Sequence, residues 1–187
     1  MAQDKRLSGR QGIRERAKRI RLLLLDVDGV LTDGRIIYGS GGIELMGFHV
    51  RDGLALKTAQ ASGITVGLVS GRKSEALLRR AKEFNLVEVH TGAEDKMVVY
   101  RQLLTRYQLD NSEVAYVGDD LPDLPLLQEA GLAIAVADAP AEVRSTAHLV
   151  TSLPGGKGAV REVVEWLLKS QGVWDRVCAE FHGTRES

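Results

Sequence analysis

The chain has 187 residues, 44% of them hydrophobic, and its 25 basic residues balance its 25 acidic ones. This length suffices for one hydrophobic core, and a net charge of zero gives no electrostatic reason to expect nucleic-acid binding. No apolar run is long enough to cross a membrane, four leucines are too few for a signal-peptide core, and Cys178 is the only cysteine. These features predict a cytoplasmic protein with no membrane contact and no disulfide framework.

The first 20 residues are rich in Lys and Arg, with Lys5, Arg6 and Arg10 near the start. This pattern predicts a basic N-terminal tail over residues 1–20 that is solvated or forms a frayed helix. A tether to an acidic surface and a targeting segment are the alternatives. We expect one domain over residues 21–171 and a C-terminal tail over residues 172–187.

Strand and helix patterns alternate from residue 21 onward. The predicted strands cover residues 21–26, 65–69, 87–90, 114–117 and 133–136, and the predicted helices lie near residues 53–62, 74–84, 96–107, 122–130 and 159–170. Such alternation is typical of an α/β fold with a doubly wound parallel sheet and helices on both faces.

Residues 34–50 break this alternation. Two short apolar runs flank a glycine-rich turn at residues 39–42, which predicts a β-hairpin. A two-stranded hairpin is marginally stable alone in water, so we expect its apolar residues to pack on another subunit. The alternative is a hairpin folded back on its own sheet.

The first predicted strand ends at two carboxylates. Asp26 and Asp28 follow four leucines directly, and Gly29 comes next. In an open α/β sheet, ligands bind at the carboxyl ends of the strands. Two carboxylates this close repel unless a cation or a shared proton compensates, which indicates a metal site or a pair of nucleophile and acid. A solvated turn explains many isolated motifs of this kind.

Three later segments carry complementary chemistry. Ser70 and Arg72 follow the second strand and suit the binding of a phosphate oxygen, while Lys96 begins a predicted helix, where an ammonium group needs a neighbouring anion. Asp119 and Asp123 follow a third strand. Taken singly, each fits a helix cap or a solvated charge, but their order and spacing together predict a phosphate site.

At these residues the chain resembles the haloacid dehalogenase superfamily of phosphohydrolases, whose four motifs are matched by residues 26–30, Ser70, Lys96 and residues 118–123. Over about residues 21–171 it is also similar to the 3-deoxy-D-manno-octulosonate 8-phosphate phosphatase family. That second similarity rests on residues 26–34, 48–53, 70–72, 115–120, 135–139 and 155–162.

The resemblance implies a Mg²⁺-dependent phosphomonoester hydrolase without a cap domain, since residues 34–50 are too few to form one. Asp26 is then the nucleophile that forms an aspartyl-phosphate, and Asp28 is the general acid and later the base. Mg²⁺ is held by Asp26, the Asp28 carbonyl and Asp119, and the phosphate oxygens by Ser70 and Lys96. Asp123 and Asp120 orient Lys96 or the water shell of the metal.

The family resemblance also implies the substrate and the assembly. The substrate is a sugar-acid phosphate on the route to lipopolysaccharide, and the hairpins assemble a homotetramer whose neighbouring chains help to cover the site. The alternative substrate is a nine-carbon sialic-type sugar phosphate. The alternative to an enzyme is a non-catalytic module that partners a nucleotide-sugar synthetase. Lys57 and Arg80 also fit solvated surface cations. The implied substrate contacts are Asp28, His49, Val50, Arg51, Asp52, Gly53, Lys57, Arg72, Arg80 and Lys96.

A glycine-rich loop, residues 154–158, precedes the last predicted helix. It lacks the spacing of a nucleotide-binding loop, so we expect a mobile gate or a subunit contact there.

Overall fold

A computed structural model describes residues 11–183 and centres on a six-stranded sheet. All neighbouring strands of this sheet are parallel, in the order β5-β4-β1-β6-β7-β8, and β2 and β3 form a separate antiparallel pair. The predicted doubly wound α/β fold is confirmed. The strands are β1 (Leu22–Leu25), β2 (Ile37–Tyr38), β3 (Glu44–Leu45), β4 (Thr65–Ser70), β5 (Glu88–Thr91), β6 (Val114–Gly118), β7 (Leu132–Ala135) and β8 (Leu149–Val150).

Helices cover both faces of the sheet. The sequence predicted the bounds of α4 and α7 correctly and allowed a helix where α1 lies, but it missed α6, α8 and β8. Two of these, β8 and α6, are too short for a period to show. The helices are α1 (11–18), α2 (Val50–Ala61), α3 (Glu75–Glu83), α4 (Lys96–Tyr107), α5 (Leu124–Glu129), α6 (Ala141–Thr146), α7 (Ala159–Ser170) and α8 (Trp174–Phe181), with 3₁₀ turns at Ser40–Gly42, Asn111–Glu113 and Leu121–Asp123.

The central strand is β1, whose four leucines are fully buried. Leu25 lies opposite Leu68 of β4 and Val117 of β6. The chain first adds β4 and β5 on one side of β1 and then returns to add β6, β7 and β8 on the other. The carboxyl end of β1 is therefore the point where the winding direction reverses, which is where open α/β sheets bind ligands.

The predicted hairpin is present, but its strands are only two residues long. Ile37 pairs with Leu45 and Tyr38 with Glu44, and residues 46–49 have no regular structure. Val50, predicted within the hairpin, is instead the first residue of α2, which starts three residues before its predicted position. Tyr38 is 74% exposed and Leu45 is 53% exposed, so this apolar surface is not covered by the chain's own sheet.

Residues at both ends of the predicted domain pack on the core. Ala17 and Ile20 are buried, and the Gln171 side chain donates hydrogen bonds to the carbonyls of both, at 3.1 and 2.9 Å. Val177 of α8 is buried as well. Within residues 11–20 the chain thus forms the helix that the sequence allowed, and its apolar residues at helical spacing pack on the core. The boundaries at residues 21 and 171 stay predictions, and residues 1–10 and 184–187 lie outside the described part of the chain.

Within residues 11–183, none of the helices has both the length and the apolar character needed to cross a membrane.

Candidate active site

The nucleophile candidate lies on a backbone that continues β1. The Asp26 N–H donates to the Val117 carbonyl at 2.9 Å, and the carbonyl of Val27 then accepts bonds from Leu31 and Thr32 in a tight turn. Within this turn Gly29 has a φ of 89°, and a Cβ there would lie 1.9 Å from Asp119 Oδ2. A glycine is required because its absent side chain lets the end of β6 approach this turn.

Lys96 binds two carboxylates at the start of α4. Its Nζ lies 2.8 Å from Asp26 Oδ1 and 2.7 Å from Asp123 Oδ1. Burial favours the neutral amine, but the two carboxylates outweigh burial and raise the pKa of Lys96. The anions that the sequence required beside this ammonium group are thus provided by the protein itself.

Asp123 accepts four hydrogen bonds. In addition to Lys96, its Oδ1 accepts from the Tyr116 hydroxyl at 2.6 Å, and its Oδ2 accepts from the backbone N–H groups of Asp119 and Asp120, at 2.9 and 3.3 Å. This carboxylate is 1% exposed. Asp123 therefore fixes both Lys96 and the turn that carries Asp119, in keeping with the supporting role predicted for it.

Asp120 caps a turn, and its predicted role in orienting Lys96 or the water shell of the metal stays a prediction. It is exposed, and its Oδ1 accepts a hydrogen bond from the Leu121 N–H at 2.8 Å. The side chain thus caps the 3₁₀ turn that contains Asp123.

Three carboxylates at this edge of the sheet fit a divalent cation. Asp26, Asp119 and Asp123 each offer an oxygen, all within 4.8 Å of one another, and Asp119 Oδ1 is buried without a hydrogen-bond partner. Burial first and the Asp26 charge second raise the pKa of Asp119 to about 8. Burial and Asp123 likewise raise the pKa of Asp26, against the effect of Lys96. A hard cation would relieve this repulsion, and Asp26 and Asp119 are the better donors because both oxygens of Asp123 are engaged.

The end of β4 brings Ser70 and Arg72 to the same edge. Ser70 is 2% exposed, and its Oγ accepts from the Arg72 N–H at 3.1 Å. The Arg72 guanidinium lies 3.5 Å from Asp28 Oδ1 and 3.0 Å from Glu44 Oε1 of β3. Nothing in the sequence pattern singled out Glu44, because a carboxylate on a short hairpin is normally solvated.

Two of the residues that the family resemblance implies as substrate contacts are engaged by other parts of the protein. Asp52 is 1% exposed, and its two carboxylate oxygens accept from the N–H groups of Arg161 at 2.7 Å and Gly158 at 3.2 Å. A Cβ on Gly53 would lie 2.3 Å from the Phe84 ring. Asp52 therefore caps α7, and Gly53 permits the close packing of α2, while a sugar contact at either residue stays a prediction.

The other implied contacts divide into paired and exposed residues. The Arg80 guanidinium lies 4.2 Å from the Phe84 ring centroid and forms an ion pair with Glu83. Lys57 is exposed, with its Nζ 5.9 Å from the same ring. His49 Nδ1 lies 4.0 Å from Asp52 Oδ2, and Val50 and Arg51 are exposed at the start of α2. Their contact with a substrate stays a prediction.

The glycine-rich loop before α7 packs tightly on the turn after β1. Gly156 N–H donates to the Val30 carbonyl at 2.9 Å, and Gly155 N–H donates to Asp138 Oδ1 at 3.0 Å. A Cβ on Gly155 would lie 1.6 Å from the Gly29 carbonyl oxygen. The loop is thus a packed support for the turn that carries Asp28 rather than a free gate, and the predicted alternative of a subunit contact stays a prediction.

Comparison with known proteins identifies relatives over most of the chain. Residues 80–162 match the family described as haloacid dehalogenase-like hydrolase. The chain is 44% identical over 157 residues to the 3-deoxy-D-manno-octulosonate 8-phosphate phosphatase KdsC of Yersinia pestis, a match that covers 84% of each protein.

Solved structures give the same result. A probable YrbI family phosphatase from Pseudomonas syringae superposes with a TM-score of 0.89 at 44% identity, over 92% of this chain and 98% of that one. The 3-deoxy-D-manno-octulosonate 8-phosphate phosphatase of Moraxella catarrhalis superposes with a TM-score of 0.88 at 42% identity, over 90% of this chain and 97% of its own. That structure is a complex with a magnesium ion, a phosphate ion and a KDO molecule.

Proposed function

This chain belongs to the 3-deoxy-D-manno-octulosonate 8-phosphate phosphatase family, and we propose that it hydrolyses that sugar phosphate in a Mg²⁺-dependent reaction for lipopolysaccharide synthesis. The observation that carries the proposal is the likeness, over 90% of the chain, to a relative that binds magnesium, phosphate and KDO. The cluster of Asp26, Lys96 and Asp119 supports it, because these groups suit phosphoryl transfer. We place the reaction in the cytoplasm, since Cys178 is the only cysteine.

In the first half-reaction, a carboxylate oxygen of Asp26 forms a bond to phosphorus while the bond from phosphorus to the sugar oxygen breaks. Lys96, 2.8 Å from Asp26, favours the ionised form of this nucleophile. The leaving sugar oxygen takes a proton from Asp28, because an alkoxide departs poorly at neutral pH. The product is the free sugar acid and a phosphorylated Asp26.

In the second half-reaction, Asp28 accepts a proton from a water molecule that attacks the phosphorus, and the Asp26 carboxylate is released with inorganic phosphate. Ser70 and Lys96 bind the phosphate oxygens during both transfers. Asp26, Asp119 and the Asp28 carbonyl would hold Mg²⁺, which when bound offsets the repulsion between the nucleophile and the phosphate dianion.

The test is phosphate release from the eight-carbon substrate with and without Mg²⁺, beside a nine-carbon sialic-type sugar phosphate and p-nitrophenyl phosphate. We expect Mg²⁺-dependent preference for the eight-carbon acid, abolished in Asp26→Asn and retained in Asp175→Asn, whose carboxylate is exposed on α8. A preference for the nine-carbon sugar phosphate would contradict the proposal that the eight-carbon sugar phosphate is the substrate. No release from any ester by folded, metal-loaded protein would favour the non-catalytic module.

We also propose a homotetramer assembled through the hairpin. The support is an apolar surface on β2 and β3, in which Ile37, Tyr38 and Leu45 are each at least half exposed. Tyr38→Glu should lower the mass measured by light scattering after gel filtration. Val87→Lys, which changes a residue that is 78% exposed outside the hairpin, is the control and should keep the wild-type mass. An unchanged mass in Tyr38→Glu would contradict assembly through this surface.

A further inference from the structure

Arg72 is shared between the predicted acid and the hairpin. One guanidinium nitrogen lies 3.5 Å from Asp28 Oδ1 and another lies 3.0 Å from Glu44 Oε1. Both of these carboxylate oxygens are buried atoms without a hydrogen-bond partner, so the Arg72 charge is what compensates each of them. The three side chains are each 24–30% exposed, which weakens screening by solvent.

The hairpin is fixed beside Arg72 by a second contact. The Ser74 hydroxyl donates to the Met46 sulfur at 3.0 Å, and the same hydroxyl oxygen accepts from the Leu77 N–H to cap α3. Glu44 and Met46 therefore bind residues 72 and 74, on the segment that joins β4 to α3. This pair of contacts fixes where the Glu44 carboxylate lies relative to the Arg72 guanidinium.

The contact with Glu44 limits how Arg72 can bind Asp28. A guanidinium that is free to turn binds a carboxylate through two parallel hydrogen bonds, which engage both carboxylate oxygens. With one of its nitrogens 3.0 Å from Glu44 Oε1, Arg72 comes within 3.5 Å of Asp28 Oδ1 but makes no hydrogen bond to that oxygen. The pair of parallel bonds to Asp28 is therefore not formed, which leaves Asp28 Oδ2 for the leaving oxygen of a substrate.

We propose that Glu44 is a positioning residue for the acid step: it holds Arg72 so that Asp28 keeps one oxygen directed at the leaving group. This inference rests on the proposed function, since it concerns the acid of that reaction. Without Glu44, Arg72 turns onto Asp28 and engages both of its oxygens. Proton transfer by Asp28 is then impaired in both half-reactions, while the attack by Asp26 is not, so only the first half-reaction separates substrates by their need for an acid.

The test compares two esters that differ in their need for an acid. The sugar phosphate releases an alkoxide and needs a proton, whereas p-nitrophenyl phosphate releases a stable anion. In Glu44→Gln we expect the single-turnover rate of the first half-reaction, measured as release of the sugar or of p-nitrophenolate, to fall about tenfold or more for the sugar phosphate and to stay within about twofold for p-nitrophenyl phosphate. Glu75→Gln, at an exposed acid in the first turn of α3, is the control and should leave both esters unchanged.

A second variant guards against a folding defect. Glu44→Asp keeps the negative charge but shortens the side chain by one methylene. We therefore expect a selective loss of rate on the sugar phosphate that is smaller than in Glu44→Gln. An equal fall of this single-turnover rate on both esters, or no fall in either variant, would overturn the positioning role.

The two proposals fail in distinguishable ways. If the wild-type protein prefers another alkyl phosphate, the substrate is wrong, and the ratio of alkyl to aryl hydrolysis in Glu44→Gln still decides the role of Glu44. If the wild-type protein hydrolyses no phosphate ester, both proposals are overturned.

Discussion

Replacing Asp123 by asparagine tests the polar network behind the site. Asp123 is 1% exposed and accepts from Lys96, Tyr116 and two backbone N–H groups. Asparagine has the same shape, but only one of its two terminal atoms accepts hydrogen bonds. If the amide oxygen keeps the backbone N–H groups, the amide nitrogen faces the ammonium of Lys96, which is also a donor.

The expected destabilisation follows from three contributions. The lost charge-assisted hydrogen bond to Lys96 is worth about 1.5–3 kcal/mol. The buried ammonium group also loses one of its two carboxylate partners, although Asp26 remains 2.8 Å away. In the opposite direction, removing one negative charge lessens the repulsion on Asp26 and Asp119, whose pKa values Asp123 helps to raise. We expect a net fall in the free energy of unfolding of about 2 kcal/mol.

The assay is urea unfolding followed by circular dichroism, at equal protein concentrations and with a chelator present. The matched control is Asp120→Asn, three residues earlier, where an exposed carboxylate caps a 3₁₀ turn. This substitution should lower the free energy of unfolding by less than about 1 kcal/mol. Unfolding free energies of the two variants within about 0.5 kcal/mol of each other would refute the reasoning, because burial and the four donors would then make no difference.

Three further outcomes are expected. Because the pKa of Asp119 is raised to about 8, a proton competes with Mg²⁺ for this carboxylate below that pH. Mg²⁺ should therefore raise the Tm in scanning fluorimetry more at about pH 8.5 than at about pH 6.5. Equal Tm shifts at the two pH values would contradict this. Gly155→Ala, with its Cβ 1.6 Å from a backbone oxygen, should lower the free energy of unfolding by about 2 kcal/mol or more. The control Gly47→Ala, whose Cβ lies in open space, should change this free energy little. Similar urea midpoints for the two variants would count against the packed loop. Burial acts to raise the pKa of Glu88, but hydrogen bonds from Tyr107 and Arg106 help to lower it below its ordinary 4.5. The stability from Glu88 is therefore present above that pH and lost as the pH falls through the lowered folded-state pKa. Glu88→Gln should thus be less stable than wild type in urea at about pH 7, and the difference should shrink as the pH falls through that pKa; a difference that did not depend on pH would exclude this.

The sequence by itself determined the fold class and the chemical character of the site. Buried parallel strands are contiguous apolar runs, so β1 and the acids that follow it are visible locally. The amphipathic pattern predicted α4 and α7 to the residue. Because the carboxyl ends of parallel strands share one edge, the pattern was enough to bring Asp26 and Asp119 to that edge, while the place of Lys96 beside them followed from the family resemblance. The catalytic roles of these residues stay predictions.

Only the tertiary structure decided which polar groups compensate one another. Asp52 has the sequence context of a substrate contact, yet it caps α7, more than a hundred residues away. The glycines at 155 and 156 look like a flexible loop, but they pack on the turn after β1. Arg72 lies between Asp28 and Glu44 only because the hairpin folds against the start of α3. Such pairings depend on distances between remote segments, and local propensity carries no information about them.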